Sequence, residues 1–324
     1  MTNKKFRILI TSAGTATALG VIKALAHRPE FEIHTADVNS QELLAIGAFP
    51  VMSHSVVPYA TDRDKFLSSI DSIIVERDIS FVFPIHDEEI RLISAFREHA
   101  PNVGFPKFSP QSVSDCTDKY EMTRICQGAG IRVPQTFLAA EYGRSPFFPV
   151  VVKPRRGVGS VGFRIVRNDF ELEGLDVDKV VLQEVCTGPE VTVDVLATLE
   201  GTIAIARERI ETKSGVSTKC RIAYSRELAD IAASISETFG LEGLFCFQAM
   251  KVGESWAVTD INPRSGGGSA MTTAAGINLF EEYFLQQAGY EDVDRFKALE
   301  LHASSLQPTL VVRYYEEHLS KGCI

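Results

Sequence analysis

The chain has 324 residues, 45% hydrophobic and 23% charged, the profile of an ordinary water-soluble globular protein with material for two or three domains. Its 33 lysines and arginines face 42 aspartates and glutamates, and the formal net charge of −9 speaks against nucleic acid or an anionic membrane as the main partner. No apolar run approaches the ~18 residues needed to span a bilayer, and the N-terminus lacks a secretory apolar core, so the cytoplasm is the expected compartment. Six scattered cysteines without a C-x-x-C pair predict reduced, mostly buried thiols, not a zinc site or a disulfide framework.

Residues 6–38 read strand, loop, helix, strand, the opening of a doubly wound α/β domain. Asp37 ends the second strand, where a dinucleotide enzyme would hold a ribose, but the loop around Gly14 lacks the full glycine fingerprint. Further strands are expected at Val51-Met52 and Phe81–Phe83, and Ser72–Val75 reads as a strand or as part of a helix. The Phe81–Phe83 strand runs into Asp87-Glu88-Glu89. Glu88 and Glu89 suit the positive end of a helix dipole, and Asp87 lies where such sheets bind ligands.

Near residue 105 the pattern changes. Phe105-Pro106 closes the first unit, Ser109 is placed to cap a new helix, and Asp118-Lys119 begins a stretch leading to Cys126. Next comes Pro149-Val-Val-Val-Lys153-Pro-Arg155-Arg156-Gly157-Val-Gly159-Ser160-Val-Gly162, followed by Phe163, Ile165 and Val166 alternating with polar residues. The glycines match G-x-G-x-x-G, yet strand periodicity follows where a dinucleotide fingerprint requires a helix. The unit is therefore strand, glycine loop, strand. Such a hairpin can close over a polyphosphate, and Lys153 would supply a point charge to it.

Residues 179–185 form another strand, ending in Gln183-Glu184-Val185 before Gly188-Pro189-Glu190. Antiparallel strands follow around 191–206, with a helix expected over about 225–239 and a hairpin over 245–262. In that hairpin Asp260 and Asn262 are two apart and share a face, which Gln248 on the partner strand can reach. Hard oxygen donors of this kind suit Mg²⁺, which takes one or two carboxylates and completes its shell with substrate phosphates. The Arg264-Ser-Gly-Gly-Gly268 loop leads to a last helical region, and the sequence after about 290 is polar and hard to place.

In this order the segments resemble the ATP-grasp superfamily, and within it the carboxylate–amine ligases similar to the large subunit of carbamoyl phosphate synthetase. The resemblance spans most of the chain and rests on Pro149–Pro154 with Gly157–Gly162, on Gln183-Glu184-Val185 with Glu190, and on Gln248 with Asp260–Arg264. It implies an α/β protein: a Rossmann-like domain over 1–108, a first nucleotide-binding lobe with a glycine lid over 109–184, and a second lobe with the metal site over 185–324. It implies that Lys119 and Lys153 contact ATP, that Gly157, Gly159, Ser160 and Gly162 form the lid, and that Gln183, Glu184 and Val185 hold the adenine edge. Glu190 would hold the ribose, while Gln248, Asp260 and Asn262 would bind Mg²⁺ or Mn²⁺. Arg264 and Lys153 would serve the transferring phosphoryl group. The chain departs from the family in carrying Asp260 where most members have Glu, a shorter arm for bridging two metals.

The implied activity is ATP-dependent activation of a small carboxylate as an acyl phosphate, then capture by an amine, in a protein for which a homodimer is the default assembly. Arg207, Arg209 and Lys213, which precede Ser214–Thr218, could bind the acceptor carboxylate or be a solvated charged loop. A non-catalytic nucleotide-binding protein of the same fold is one alternative. A nicotinamide-dependent oxidoreductase built on Gly14 and Asp37 is the other.

Overall fold

The computed structural model describes residues 5–142, 147–157, 162–213, 215–290 and 292–319. Strands β1 (Phe6–Ile10), β2 (Phe31–Asp37), β3 (Val51–Val56) and β4 (Phe81–Phe83) form a parallel sheet in the order β3-β2-β1-β4. Helices α1 (Ala16–Leu25), α2 (Arg63–Arg77) and α3 (Asp87–Phe96) connect them. Because parallel strands are covered on both faces, β1 ends in an unbroken apolar run: Ile8 and Ile10 enter one core cluster and Leu9 another. Of the two readings of Ser72–Val75, the helix holds. Phe66, Ile70, Ile73 and Ile74 recur at helical spacing and are the buried side of α2.

The middle of the chain begins with helices α4 (Pro110–Thr117) and α5 (Lys119–Gly128). A small antiparallel sheet follows, built from β5 (Thr136–Leu138), β6 (Val150–Pro154), β7 (Arg164–Val166) and β8 (Val180–Glu184), with α6 (Ala139–Tyr142) after β5. Its order is β5-β8-β6-β7, and β6 pairs antiparallel with β7 across the glycine loop, as the strand periodicity after Gly162 required. The larger sheet contains β9 (Glu190–Thr198), β10 (Gly201–Lys213), β11 (Val216–Ala223), β12 (Gly243–Val252), β13 (Ser255–Asn262) and, beyond the helices, β14 (Thr309–Val312). Helices α7 (Arg226–Phe239), α8 (Ser269–Ala274), α9 (Leu279–Gln287) and α10 (Val293–Ser304) complete it. The stretch after 290 thus holds a helix and an edge strand paired with β11.

Alternation along β9 explains how this sheet is covered. Val191, Val193 and Val195 face one core with Val113, Met122 and Leu228 from α4, α5 and α7. Leu196, with Ile203 and Ile205 of β10, faces the opposite core, which also contains Ile8, Ile10 and the α9 residues Phe280, Tyr283 and Phe284. The Phe284 ring meets Phe31, Phe81 and Phe83 at centroid distances of 6.3, 5.7 and 5.2 Å. Each such fully buried aromatic contributes about 1.5–3 kcal/mol. This shared core fixes the loops after β1 and β4 over the end of the β12–β13 hairpin. The described cysteines are free thiols, with Cys116, Cys126, Cys220 and Cys246 buried and Cys186 half-buried; Cys323 lies outside the described residues. Among the described residues no helix is long and apolar enough to cross a membrane.

Candidate functional site

A cavity of ≈ 560 Å³ opens between the small and the large sheet. Its walls include Lys119, Lys153, Gly157, Gln183, Glu184, Val185, Glu190, Gln248, Asp260, Asn262 and Arg264, residues that lie far apart in the sequence. Gly162 does not line it, although its φ of +77° and an ideal Cβ only 3.0 Å from Pro154 Cγ show why glycine is needed where the loop rejoins β7. Gly159 and Ser160 lie outside the described residues.

The two lysines arrive by a local device. Asp118 is buried and caps α5 by accepting from the backbone N–H groups of Tyr120 and Glu121, each at 3.2 Å. The same carboxylate pairs with Arg155 at 2.9 Å and Arg156 at 3.0 Å, just beyond the end of β6. The Lys119 N–H donates to the Arg155 carbonyl at 3.0 Å, so the first turn of α5 is tied to the end of the Lys153 strand. Lys119 Nζ then donates to the Gly157 carbonyl at 3.0 Å and stands 4.0 Å from Asp260 Oδ1. Lys153 Nζ donates to the Thr259 carbonyl at 3.0 Å. Lys153 lines the cavity, and burial pushes its pKa down to about 8; Asp260 opposes that shift and Lys119 adds to it.

On the hairpin, Gln248 is directly opposite Asp260, and Cys246 opposite Asn262. The Asn262 amide donates to Asp260 Oδ2 at 3.0 Å. One carboxylate with two amide side chains is a hard-oxygen set that fits Mg²⁺ when phosphate oxygens supply the remaining ligands. Among the described residues no cluster of three or more His, Cys, Asp or Glu could hold a metal. Arg264 bridges to the N-terminal sheet: its guanidinium pairs with both Asp87 oxygens and also reaches Asn262 Oδ1 at 3.4 Å. Burial works against its charge, but the Asp87 carboxylate outweighs that and raises the Arg264 pKa.

At the opposite wall Glu184 exchanges two bonds with Gln135: its N–H donates to the Gln135 carbonyl at 2.8 Å, and its carboxylate accepts from the Gln135 N–H at 3.2 Å. Gln183 is buried and donates to Thr136 Oγ1 at 2.8 Å. Glu190 accepts from Arg209 at 2.6 Å. The basic residues read as a possible solvated loop belong to β10 instead: the side chains of Arg207 and Arg209 are buried and line the cavity, whereas Lys213 lies over the Tyr315 ring at 5.2 Å. Sequence reasoning missed the apolar part of the wall: Val151, Phe163, Ile165 and Met250. Phe163 is 52% and Ile165 37% exposed although both are apolar, a signal that becomes visible once β7 is recognised as a cavity edge. It also missed Asp194, which holds Arg207 through two bonds of 2.7 and 3.0 Å. Glu88 pairs with Arg91, and Glu89 closes a capping box at the start of α3, the helix-terminal role expected of them. Glu89 additionally anchors Thr11 and Ser12.

Residues 176–305 match a family described as "ATP-grasp in the biosynthetic pathway with Ter operon". The whole architecture is similar to that of the L-amino acid ligase from Bacillus licheniformis, with a TM-score of 0.73 and 15% identity over 94% of this chain and 78% of the other. The chain has the ATP-grasp fold. Two further ATP-grasp structures align comparably. Biotin carboxylase from Campylobacter jejuni does so at TM-score 0.72 and 16% identity, over 90% of this chain and 72% of the other. N5-carboxyaminoimidazole synthetase from Staphylococcus aureus, complexed with ADP, aligns at TM-score 0.70 and 14% identity, over 96% of this chain and 82% of the other. No curated protein sequence matches the chain. The ATP-grasp architecture agrees with the fold expected from the sequence, a parallel sheet followed by two antiparallel lobes.

Proposed function

We propose that the protein is an ATP-dependent carboxylate–amine ligase. The observation that carries this reading is the convergence of Lys119, Lys153, Gln248, Asp260, Asn262 and Arg264 on one cavity that also has an apolar patch of Val151, Phe163, Ile165 and Met250. The slot of Val151, Phe163, Ile165 and Met250 suits a flat base, and the backbone of Glu184 and Val185 lies beside it to meet the base edge. Glu190, on the cavity wall, would accept from ribose hydroxyls. Lys119 and Lys153 would neutralise phosphate oxygens, and the Gly157–Gly162 hairpin would cover them. On this reading residues 1–108 carry the acceptor side, 109–184 the lid lobe and 185–324 the metal lobe.

In the reaction a carboxylate oxygen of the acid bonds to the γ-phosphorus as the bond to the β–γ bridging oxygen breaks, leaving an acyl phosphate and ADP. An amine then attacks the acyl carbon, phosphate leaves, and the amine loses a proton. Mg²⁺ held by Asp260, with Asn262 and Gln248 beside it, would supply charge neutralisation on the transferring phosphoryl oxygens. Arg264, oriented by Asp87, would bind the equatorial oxygens, and Lys153 would hold the same charge from the opposite wall. Closure of the cavity would keep water from the acyl phosphate.

The oxidoreductase reading loses its anchor. Asp37 is 7% exposed and already accepts from Gly14 N–H at 2.9 Å, Asn39 N–H at 3.0 Å and the Asn39 amide at 2.9 Å, so its oxygens are engaged by the protein itself. The test is hydroxamate trapping with Mg–ATP, pooled carboxylates and hydroxylamine, with ADP release followed in parallel. A hydroxamate that needs ATP and disappears in Lys153→Ala and Asp260→Ala is the expected result. A protein that binds Mg–ATP yet activates no acid would instead support a nucleotide-binding role, and absence of ATP binding would overturn the ligase reading.

A further inference from the structure

The C-terminal segment supplies a cation that this chemistry leaves unused. Beyond β14 the Arg313 N–H donates to the Thr218 carbonyl at 2.8 Å, which continues the pairing with β11. Its guanidinium Nη2 donates to the Gly267 carbonyl at 2.9 Å. Gly267 lines the cavity in the turn after Arg264, and an ideal Cβ there would lie 3.3 Å from Val216 and 3.9 Å from Thr17 Oγ1. Arg313 therefore stands where the glycine turn, β11 and the first turn of α1 meet.

The arginines around this turn differ in how their charge is met. Arg264 has Asp87, Arg207 has Asp194, and Arg209 has Glu190. Among the described residues no carboxylate pairs with Arg313; burial and the nearby charge of Arg207 both lower its pKa. Arg313 is half-buried, and among the described residues the Gly267 carbonyl is the one partner of its side chain's five N–H donors. Arg209, on the cavity wall, repeats the signal: its side chain is 7% exposed and its buried Nε has no partner among the described residues. Arg209 on the cavity wall, and Arg313 beside Gly267 with no carboxylate partner among the described residues, leave donors for an anion.

We propose that Arg313, together with Arg209, binds a second, non-reacting anionic group, carboxylate or phosphate, on the acid that the enzyme activates. The inference rests on the ligase reading and narrows its substrate class to dianionic acids. The C-terminal strand then has a functional reason to sit on the sheet edge, since it carries Arg313 to the Gly266–Gly268 turn.

The test uses pairs of acids that differ by one charged group: L-glutamate with L-glutamine, and O-phospho-L-serine with L-serine. ATP-dependent hydroxamate formation is measured for each in the wild type, Arg313→Gln and Arg313→Lys, with melting checked to confirm that the variants fold. The wild type should favour the dianionic member of one pair by at least about tenfold in kcat/KM, the scale of one charge-assisted hydrogen bond. In Arg313→Gln that ratio should approach one while the KM for ATP moves little, and Arg313→Lys should restore part of it. The pair that responds tells carboxylate from phosphate. A wild type that treats both members alike, or a preference that survives Arg313→Gln, overturns the proposal. If no acid turns over, calorimetric binding of the same pairs in the presence of Mg²⁺ and a non-hydrolysable ATP analogue decides it by the same criterion. Failure of the ligase reading appears separately, as a nucleotide that binds with no hydroxamate formed.

Discussion

Gly268→Ala tests the packing beneath the glycine turn. The residue has φ −100° and ψ −4°, a conformation open to alanine, so backbone strain plays no part. The added Cβ would stand 2.0 Å from Arg207 Nη1 and 2.7 Å from its Cζ. Normal contact is about 3.5 Å, so something must move by roughly 1–1.5 Å. If the guanidinium moves, it leaves Asp194, whose oxygens among the described residues are otherwise met by Ser269 at 2.7 Å and Thr272 at 2.5 Å. Both partners are buried, and breaking such a pair costs about 3–5 kcal/mol. If the turn moves instead, Arg264 is displaced, and a misplacement of about 1 Å costs on the order of 10²-fold in rate. Gly266→Ala is the control, because its nearest neighbours, Arg207 Nη2 and Cys246 Sγ, lie at 3.3 Å and need give only slightly. Thermal melting should place Gly268→Ala at least about 6 °C below the wild type, at roughly 2 °C or more per kcal/mol, with Gly266→Ala within about 2 °C. Equal midpoints for the two variants, with undiminished stabilisation by nucleotide, would refute the packing argument.

Lys153 predicts a proton linkage. With a free-protein pKa of about 8 it is largely neutral near pH 9, and phosphate oxygens favour its charged form. Nucleotide binding should therefore take up protons around pH 8–9 and weaken as pH rises through about 8; calorimetry in two buffers of different ionisation enthalpy measures this, and Lys153→Met should abolish the uptake. The sign for stability is opposite: the unfolded chain holds this proton up to its ordinary pKa of 10.5, so the unliganded protein should gain stability from this group between pH 8 and 10.5. Asp118→Asn keeps the cap of α5 but removes the charge facing Arg155 and Arg156, and should cost about 1–3 kcal/mol by denaturant unfolding; Asp118→Ala should cost about 1 kcal/mol more. Asp87→Asn should lower the rate of acyl phosphate formation about 10–100-fold by loosening Arg264. An equal loss in ATP affinity would place Arg264 with the bound nucleotide and not with its transferring group.

Much of the site was legible because its chemistry follows short-range periodicity. Period two puts Asp260 and Asn262 on one face, and the apolar run before Lys153 with alternation after Gly162 marks two strands around a turn. Ser109 likewise announces α4, which it caps through the Ser112 N–H. What stayed hidden depends on partners distant in sequence. The position of Asp87 after β4 marked it as a ligand-side carboxylate, but its partner Arg264 lies 177 positions away, beyond any local pattern. Arg207 reads as a surface charge until β9 brings Asp194 beneath it, and the exposed look of Phe163 and Ile165 has meaning only as a cavity wall. The polar end of the chain had no apolar rhythm to declare it, and only backbone pairing with β11 sets Arg313 on the glycine turn. The sequence by itself determined the elements and the residue types that each presents. The tertiary structure decided which charges meet, because a buried charge is fixed by the partner that folding brings to it.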